Sequence, residues 1–401
     1  MLAGRRVVVG VCGGIAAYKV ADLASQLVKA GAEVDVVMTR AAQEFVTPLT
    51  FQSLTHRPVL CDVFDAAREL AVPHVALAAR AEVVLVAPAT ANTLARLAHG
   101  LADDMLTCTV LATRAPVVLA PAMEEGMYAH AATQANLALL RERGCRVVEP
   151  TEGRLASGKV GRGRLAEVPA LLAAVRAALG ARGDLAGRRI VVTAGGTHEP
   201  IDPVRFVGNR SSGKMGFALA EAARDRGACV TLIAGPTTVE PPPGVALFRV
   251  ETAVEMCDAV LSAVRDADAL VMAAAVADYR PAALLEQKIK RSSEELTVRL
   301  VRNPDILARV AQALAGRPLV SVGFAAETQD VRANARLKLA AKGLDLIVAN
   351  DVTAPDSGFG TDTNCVVLVD AASEEELPLL SKYEVAWRVL DRVARQLAAQ
   401  R

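Results

Sequence analysis

Aromatic residues are scarce, 3% of 401 positions, which leaves few platforms for stacking the bases of a single strand. Excess charge is missing too. Lys and Arg number 45 against 44 Asp and Glu, a formal net charge of +1, and this argues against a nucleic-acid or other polyanion surface. No Cys-x-x-Cys occurs. The seven cysteines, at 12, 61, 108, 145, 229, 257 and 365, are scattered and odd in number, and they read as reduced thiols of a cytoplasmic protein without a zinc cluster. Apolar runs such as 83–86 and 117–119 are strand-length, far below the about 18 residues of a membrane span, so no membrane association is expected. The start of the chain lacks the pattern of a signal peptide. Neither half contains G-x-G-x-x-G, the dinucleotide fingerprint.

What is present is apolar bulk, 52% of residues, enough for large cores over two or three domains. In the first half, strand-like runs at 6–11, 33–38, 83–87, 116–120 and 146–148 alternate with helical stretches at 15–30, 42–55, 92–99, 103–113 and 131–143. Continuous Val-rich runs imply strands buried on both faces, hence a parallel sheet covered by helices. The Gly- and Arg-rich segment 152–165 reads as a mobile flap. A second half repeats the alternation, with strands expected at 190–194, 229–234, 246–250, 269–274, 319–323, 345–349 and 365–369, and an amphipathic strand in "LTVRLVR". The fold class expected is α/β, two doubly wound, Rossmann-like parallel-sheet domains, at 1–180 and 190–401, joined by a linker at 181–189.

The first half opens "RRVVVGVCGGIAAYK". Gly13 and Gly14 lie between a strand and a helix start, where backbone approaches an anion. The second strand ends at Thr39 and Arg40 rather than the acid that holds a ribose, which suits one phosphate better than a dinucleotide. A tight turn without ligand fits that stretch equally well. In "APATANTLARLAHGLADDML", Thr90, Asn92 and Thr93 follow a strand, more polar groups than capping needs. "PAMEEGMYAH" leaves the next strand in the same way. His74 precedes a helix; a lone His is more often structural than catalytic.

The second half carries "TAGGTHEPIDPVRFVGNRSSGKMG". Its G-N-R-S-S-G-K-M departs from a P-loop at Met215, where the magnesium-binding hydroxyl belongs. What remains is a donor cluster, Asn209, Arg210, Ser211, Ser212 and Lys214, at a helix start whose dipole favours anions. "KIKR" (288–291) alone would be a solvated charge run, but it lies between Asp278 and "NPD". There Asn303 as N-cap and Pro304 at N1 are expected to start a helix.

These motifs, with "GGIAAYK", "AAAVADYRP", "NPDIL", "VGFAAET" and "RLKLAAKGLDLIVAND", resemble the flavin-dependent cysteine decarboxylases and, over essentially the whole chain, the bacterial bifunctional phosphopantothenoylcysteine decarboxylase / phosphopantothenate–cysteine ligases. The resemblance implies a flavodoxin-like flavin domain followed by a ligase domain. It implies FMN on Gly13, Gly14, Ile15, Thr39, Thr90 and Asn92, with His74 as the active-site histidine. It implies 4'-phosphopantothenate held by Asn209, Arg210, Ser211, Ser212 and Lys214. CTP, with Mg2+ whose ligands stay unassigned, would lie among Ala273, Ala274, Asp278, Lys288, Pro304, Asp305, Ile306, Leu307, Phe324, Lys338 and Lys342. Cysteine is the second substrate, and homo-oligomers are implied, trimers through the flavin half and dimers through the ligase half. Two departures stand out: Glu124 replaces an Asn of the family pattern and Ser157 replaces the Cys that protonates the enethiol intermediate. The two carry over as catalytic positions with His74, Asn209 and Lys288. Competing readings are a functional ligase with an altered or inactive flavin half, since Glu124 and Ser157 replace the family's Asn and Cys, an NAD-dependent dehydrogenase, against which both missing fingerprints count, and a flavoprotein sensor, which has no use for the second half's lysines.

Overall fold

The computed structural model describes residues 2–64, 72–290, 296–314, 316–327, 329–351, 358 and 360–400. It divides into two compact units, Met1–Ala181 and Arg182–Arg401.

The first unit runs β1 (Arg6–Val11), α1 (Ala17–Lys29), β2 (Glu33–Met38), α2 (Pro48–Thr55), α3 (Pro73–Arg80), β3 (Val83–Ala89), α4 (Ala91–His99), α5 (Met105–Ala112), β4 (Val117–Pro121), α6 (Glu125–Ala129), α7 (Ala131–Glu142), β5 (Arg146–Val147), β6 (Thr151–Arg154), β7 (Val160–Arg164) and α8 (Val168–Gly180). Its sheet has the order β2-β1-β3-β4-β5, with every pair parallel, the flavodoxin-like winding. Alternate residues of one strand enter different cores, as a sheet covered on both sides requires. Val7 and Val9 pack with Val20, Leu23 and Leu27 of α1 and Leu171 and Val175 of α8. Val8, Val84 and Val86 pack with Leu94, Leu106 and Leu137 of α4, α5 and α7. The helix expected over 42–55 is split. Thr39 caps a short 3-10 turn over Arg40–Glu44, its Oγ1 accepting from the Ala42 amide at 3.3 Å, and Pro48 starts α2 afresh. Residues 152–165, expected as a flap, form most of the antiparallel hairpin β6–β7.

The second unit runs β8 (Arg189–Ala194), β9 (His198–Pro200), β10 (Phe206–Gly208), α9 (Lys214–Asp225), β11 (Cys229–Ala234), β12 (Ala246–Arg249), α10 (Ala253–Ala263), β13 (Ala269–Met272), β14 (Tyr279–Pro281), β15 (Leu300–Arg302), α11 (Ile306–Leu314), β16 (Val320–Glu327), α12 (Val331–Lys342), β17 (Leu346–Asp351), β18 (Thr363–Asn364), β19 (Val366–Asp370), β20 (Glu374–Glu376), β21 (Leu380–Ser381) and α13 (Lys382–Ala399). The large sheet reads β12-β11-β8-β13-β16-β17-β19-β20. Its first six strands are parallel in the Rossmann order. The last two are antiparallel to their neighbours; a tight turn held by the Asp370 carboxylate folds β20 back on β19. Of "LTVRLVR", only Leu300–Arg302 is strand, paired with Tyr279–Pro281. The expected linker packs onto this unit instead: Leu185 is fully buried in its core and donates its amide to the Arg226 carbonyl.

Gly216, in the first turn of α9, sits against β8. A Cβ there would fall 2.5 Å from the Ala194 Cβ and 2.7 Å from the Thr193 carbonyl oxygen. Forcing a methyl into such a contact costs about 1–3 kcal/mol. Gly216→Ala is therefore expected to lower the unfolding temperature by roughly 2–4 °C per kcal/mol. A thermal melt of the purified variant checks this; an unchanged midpoint would show that α9 can lift from the sheet at no cost.

Candidate active sites

In the first unit the strand order reverses between β1 and β3, so the loops leaving these two strands diverge and open a crevice. A cavity of about 1280 Å³ lies there. Gly13, Gly14, Ile15, Thr39, Thr90, Asn92 and Glu124 all line it. The two glycines do different work. A Cβ on Gly13 would overlap the Ala41 Cβ at 2.4 Å, so Gly13 is required by packing against the 3-10 turn. A Cβ on Gly14 would project toward Pro88 and Thr90 with no contact under 3.8 Å, which leaves its backbone approachable. Thr90 caps α4, accepting from the Thr93 amide at 3.3 Å. Lys19, Arg40, Arg96, Arg154 and Arg164 face Glu44, Asp104 and Glu124 across the cavity. Arg96 is engaged by Asp103 and Asp104. Lys19 and Arg164 are engaged by Glu167, which leaves Arg40 and Arg154 as the lining cations without an ion pair among the described residues, and these suit an anionic occupant. Lys19, Arg154 and Arg164 were missed in the sequence because each lies in a segment that reads as ordinary amphipathic helix or loop.

Glu124 and Ser157 are brought together: the Ser157 hydroxyl donates to a Glu124 carboxylate oxygen at 2.9 Å. The hairpin β6–β7 makes this possible by resting on the segment after β4. A Cβ on Gly163 would sit 2.1 Å from the Met123 carbonyl oxygen, and one on Gly161 2.4 Å from a Glu125 carboxylate oxygen. The Met123 amide donates to the Gly163 carbonyl at 2.9 Å. His74 is not brought in. It lies within the first turn of α3 rather than before it, does not line the cavity, and its Nδ1 is buried with no partner among the described residues.

In the second unit the reversal falls between β8 and β13. Ser211, Ser212 and Lys214 lead into α9, with Gly213 (φ 79°) at its N-cap, and Arg210 precedes them, exposed. The Asn209 amide donates to the Val276 carbonyl at 3.1 Å, so this side chain pins the segment after β13 and has one amide hydrogen and its carbonyl left for a ligand. The Ala274 amide donates to the Thr193 hydroxyl at 3.1 Å; Ala273 precedes it. Asp278 is exposed, and its carbonyl accepts from the Asn303 amide at 2.9 Å.

Asn303 is not a helix cap. Its side chain donates to the Ala277 carbonyl at 2.8 Å, and α11 starts at Ile306. The capping oxygen belongs to Asp305, which accepts from the Ala308 amide at 3.2 Å. Pro304 stands between them, and Ile306 and Leu307 pack into the core beneath. Burial alone would raise the Asp305 carboxyl, but the Lys342 ammonium and the Ala308 amide outweigh it and hold it below the usual carboxylate range. Lys338 pairs with Glu327 at 2.5 Å, at the end of the strand that carries Phe324. Lys214 pairs with Asp362 at 2.7 Å. Of the predicted lysines only Lys288 is exposed with no partner among the described residues. Arg291 of the basic run and Thr328 of "VGFAAET" lie outside the described residues. Among the described residues no group of three or more His, Cys, Asp or Glu converges as a metal cage, and no helix is long and apolar enough to cross a membrane.

With this geometry in view, the comparisons decide the family. Residues 1–180 match the family model "Flavoprotein", and 185–397 match "DNA/pantothenate metabolism flavoprotein C-terminal domain". The coenzyme A biosynthesis bifunctional protein CoaBC of Vibrio vulnificus (strain CMCP6) is 47% identical over 394 residues, covering 98% of each chain. The chain belongs to the bifunctional coenzyme A biosynthesis proteins. The CoaBC protein of Escherichia coli (strain K12) is 45% identical over 395 residues, covering 98% of this chain and 97% of that one. Among solved structures, the FMN-dependent cysteine decarboxylase SpaF is 38% identical and covers 44% of this chain and 99% of that one, with a TM-score of 0.39.

Cys12, beside the Gly13 turn, is buried and 1% exposed. Burial pushes its thiol up to about 11, against the opposing hydrogen bonds of Thr93 and Thr90. Because the thiolate is the nucleophile, iodoacetamide at pH 8 is expected to label exposed Cys229 and to spare Cys12 in the folded protein. Peptide mass spectrometry checks this, and equal labelling of the two would mean that the turn opens readily.

Proposed function

We propose that the chain catalyses two consecutive steps of coenzyme A biosynthesis: CTP-dependent ligation of 4'-phosphopantothenate with cysteine, then FMN-dependent decarboxylation of phosphopantothenoylcysteine to 4'-phosphopantetheine. The observation that carries this reading is the end-to-end match to bifunctional relatives, with a ligand-sized opening or donor cluster at each strand-order reversal.

In the ligase half, a carboxylate oxygen of the substrate attacks the α-phosphorus of CTP and pyrophosphate leaves. The amine of cysteine then attacks the acyl carbon and CMP leaves. Negative charge gathers on the phosphates, so cations and helix-start amides are the stabilisers needed. Lys288 serves as the free cation. Lys338 and Lys342, paired with Glu327 and Asp305, supply charge that is already oriented. Arg210, Ser211, Ser212 and Lys214 hold the phosphopantothenate phosphate, and Asn209 holds the acyl group for transfer. Magnesium enters with CTP, carried chiefly by the nucleotide's phosphates, a usual mode for this ion.

In the flavin half, the residues present fit a single-phosphate flavin. The open face of Gly14, the hydroxyl of Thr39, Thr90 and Asn92 would hold it, with Ile15 alongside. Bound there, the flavin supplies a two-electron acceptor and donor. The chain's own part is to seat the substrate and move one proton. Glu124 lies inside the cavity, and a carboxyl in contact with a hydroxyl can pass a proton either way, since the hydroxyl both donates and accepts. Glu124 is the better acid of the two and fills the role of proton source. His74 does not line its own chain's cavity; in the homo-oligomer that the family resemblance implies, copies would complete one another's sites. No disulfide joins the seven cysteines, in keeping with a reducing compartment.

Replacing Lys288 by Gln is expected to lower ligation turnover by about 10²–10³, the size of effect seen when one charge-stabilising donor is lost, while flavin absorbance stays at the parent level. Pyrophosphate release reads the loss; near-normal CMP production would remove Lys288 from the chemistry.

The flavin half is tested by product mass spectrometry with anaerobic flavin absorbance. Glu124→Gln is expected to slow formation of the decarboxylated product by about 10²–10⁴. Ser157→Ala is expected to be tolerated, and Ser157→Cys to be at least as active as the parent. An inactive Ser157→Ala beside a fully active Glu124→Gln would reverse the two roles.

A further inference from the structure

Asp202 lies within "TAGGTHEPIDPVRFVGNRSSGKMG" but has no role so far, yet it is one of the most enclosed carboxylates of the second unit, with its side chain wholly inaccessible. One oxygen, Oδ1, accepts from the amides of Val204 at 2.8 Å and Arg205 at 2.9 Å. These bonds close the turn around Pro203, as an Asp before a turn commonly does. The other oxygen reaches out of that turn. Oδ2 accepts from the Arg205 guanidinium at 2.7 Å and from the Ile289 amide at 3.1 Å, 87 residues further along the chain. The same guanidinium nitrogen donates to the Ile289 carbonyl at 3.3 Å. Close by, the Leu285 amide donates to the Ile201 carbonyl at 3.1 Å.

Both backbone groups of Ile289 are thus held by one buried carboxylate and its guanidinium partner, and Ile289 is the neighbour of Lys288. The lysine's backbone is fixed while its ammonium stays exposed and unengaged among the described residues. Burial pushes the Asp202 carboxyl up, yet the amides of Ile289, Val204 and Arg205 outweigh it and hold it down at about 2. The acceptor pair is therefore ionised at neutral pH.

We propose that Asp202 is a positioning residue of the ligase half: with Arg205 it locks the loop around Ile289 and so presents the Lys288 ammonium to the phosphates of the nucleotide. The inference rests on the role given above to Lys288. A carboxylate is needed because every partner is a donor. An Asn of the same shape would set its own amide hydrogens against the Ile289 amide or the Arg205 guanidinium, leaving a buried donor facing another.

The test uses the full-length protein at saturating CTP and follows pyrophosphate release in Asp202→Asn, Lys288→Gln and the double variant, with a thermal melt and flavin absorbance beside them. Asp202→Asn is expected to lose roughly 10- to 100-fold in kcat, the scale of a misplaced catalytic group, with flavin content at the parent level. The double variant is expected to be no slower than Lys288→Gln alone, since both changes remove the same contribution. A residue that merely supports the fold would give losses that multiply, and that result would overturn the proposal. Ile289→Pro gives a second reading: it deletes the amide that Asp202 accepts from across the turn and leaves the turn around Pro203 intact, but it also fixes φ at 289 and restricts the backbone of Lys288, so it should show at least the same loss. Parent turnover in Asp202→Asn or Ile289→Pro, beside an impaired Lys288→Gln, would overturn this inference alone. Parent turnover in Lys288→Gln would overturn the lysine's role and this inference with it.

Discussion

The constraint on which both halves depend is the burial of parallel strands on their two faces. Val7, Val8 and Val9 cannot all be dry unless helices cover the sheet above and below. Covering both faces means that some connections must run on each side, and with right-handed crossovers this requires the chain to reverse its direction of winding across the sheet. Where the chain changes direction across the sheet, neighbouring loops part and leave a crevice at the carboxyl ends of the strands. The first unit has that point between β1 and β3, and the second between β8 and β13. The candidate sites follow from the winding, and the loops then decide what each crevice holds.

The loops reach their geometry by close backbone contact more than by side-chain packing. In the flavin half, β7 leans on the chain after β4 at Gly163, where a larger residue would leave no room for the Met123 backbone carbonyl, and Gly161 lies against the Glu125 carboxylate. In the ligase half, the segments after β8 and β13 lie side by side. The Ala275 amide donates to the Gly195 carbonyl, and the Ala277 amide donates to the Thr197 hydroxyl. Asn209 and Asn303 brace this seam from either side by donating to the carbonyls of Val276 and Ala277. Polar side chains that look like ligand-binding groups therefore also hold the walls of the site.

Much of this was legible before any coordinates. Val-rich runs gave away strands dry on both faces, and the stretches around Gly13, Thr39 and Thr90 converge on one cavity. Local signals such as Thr90 before α4 also held. What escaped were relations across long sequence distance. The contact of Ser157 with Glu124 spans 33 residues and exists only because a glycine hairpin docks. Asp202 carried a readable turn signal, Asp before Pro, but nothing in it announced a partner 87 residues away. Asn303 misled because Asn followed by Pro imitates a helix start, whereas the carboxylate two positions later wins the cap. His74 shows the limit most plainly: residue type favoured a structural role, the resemblance implied an active-site histidine, and the fold of a single chain does not bring it to the cavity.

Cys12 sits one residue from the turn that the flavin phosphate would approach, in a half that handles a thiol substrate. With its thiol up at about 11, only about one molecule in 10⁴ carries the anion there at pH 7. Thiol–disulfide exchange needs an attacking thiolate, so this sulfur is poorly placed to form a mixed disulfide with the substrate or to be drawn onto the oxidation ladder. The strand end can therefore keep a sulfur there, held by hydrogen bonds of Thr93 and Thr90, without exposing a competing nucleophile to the chemistry beside it.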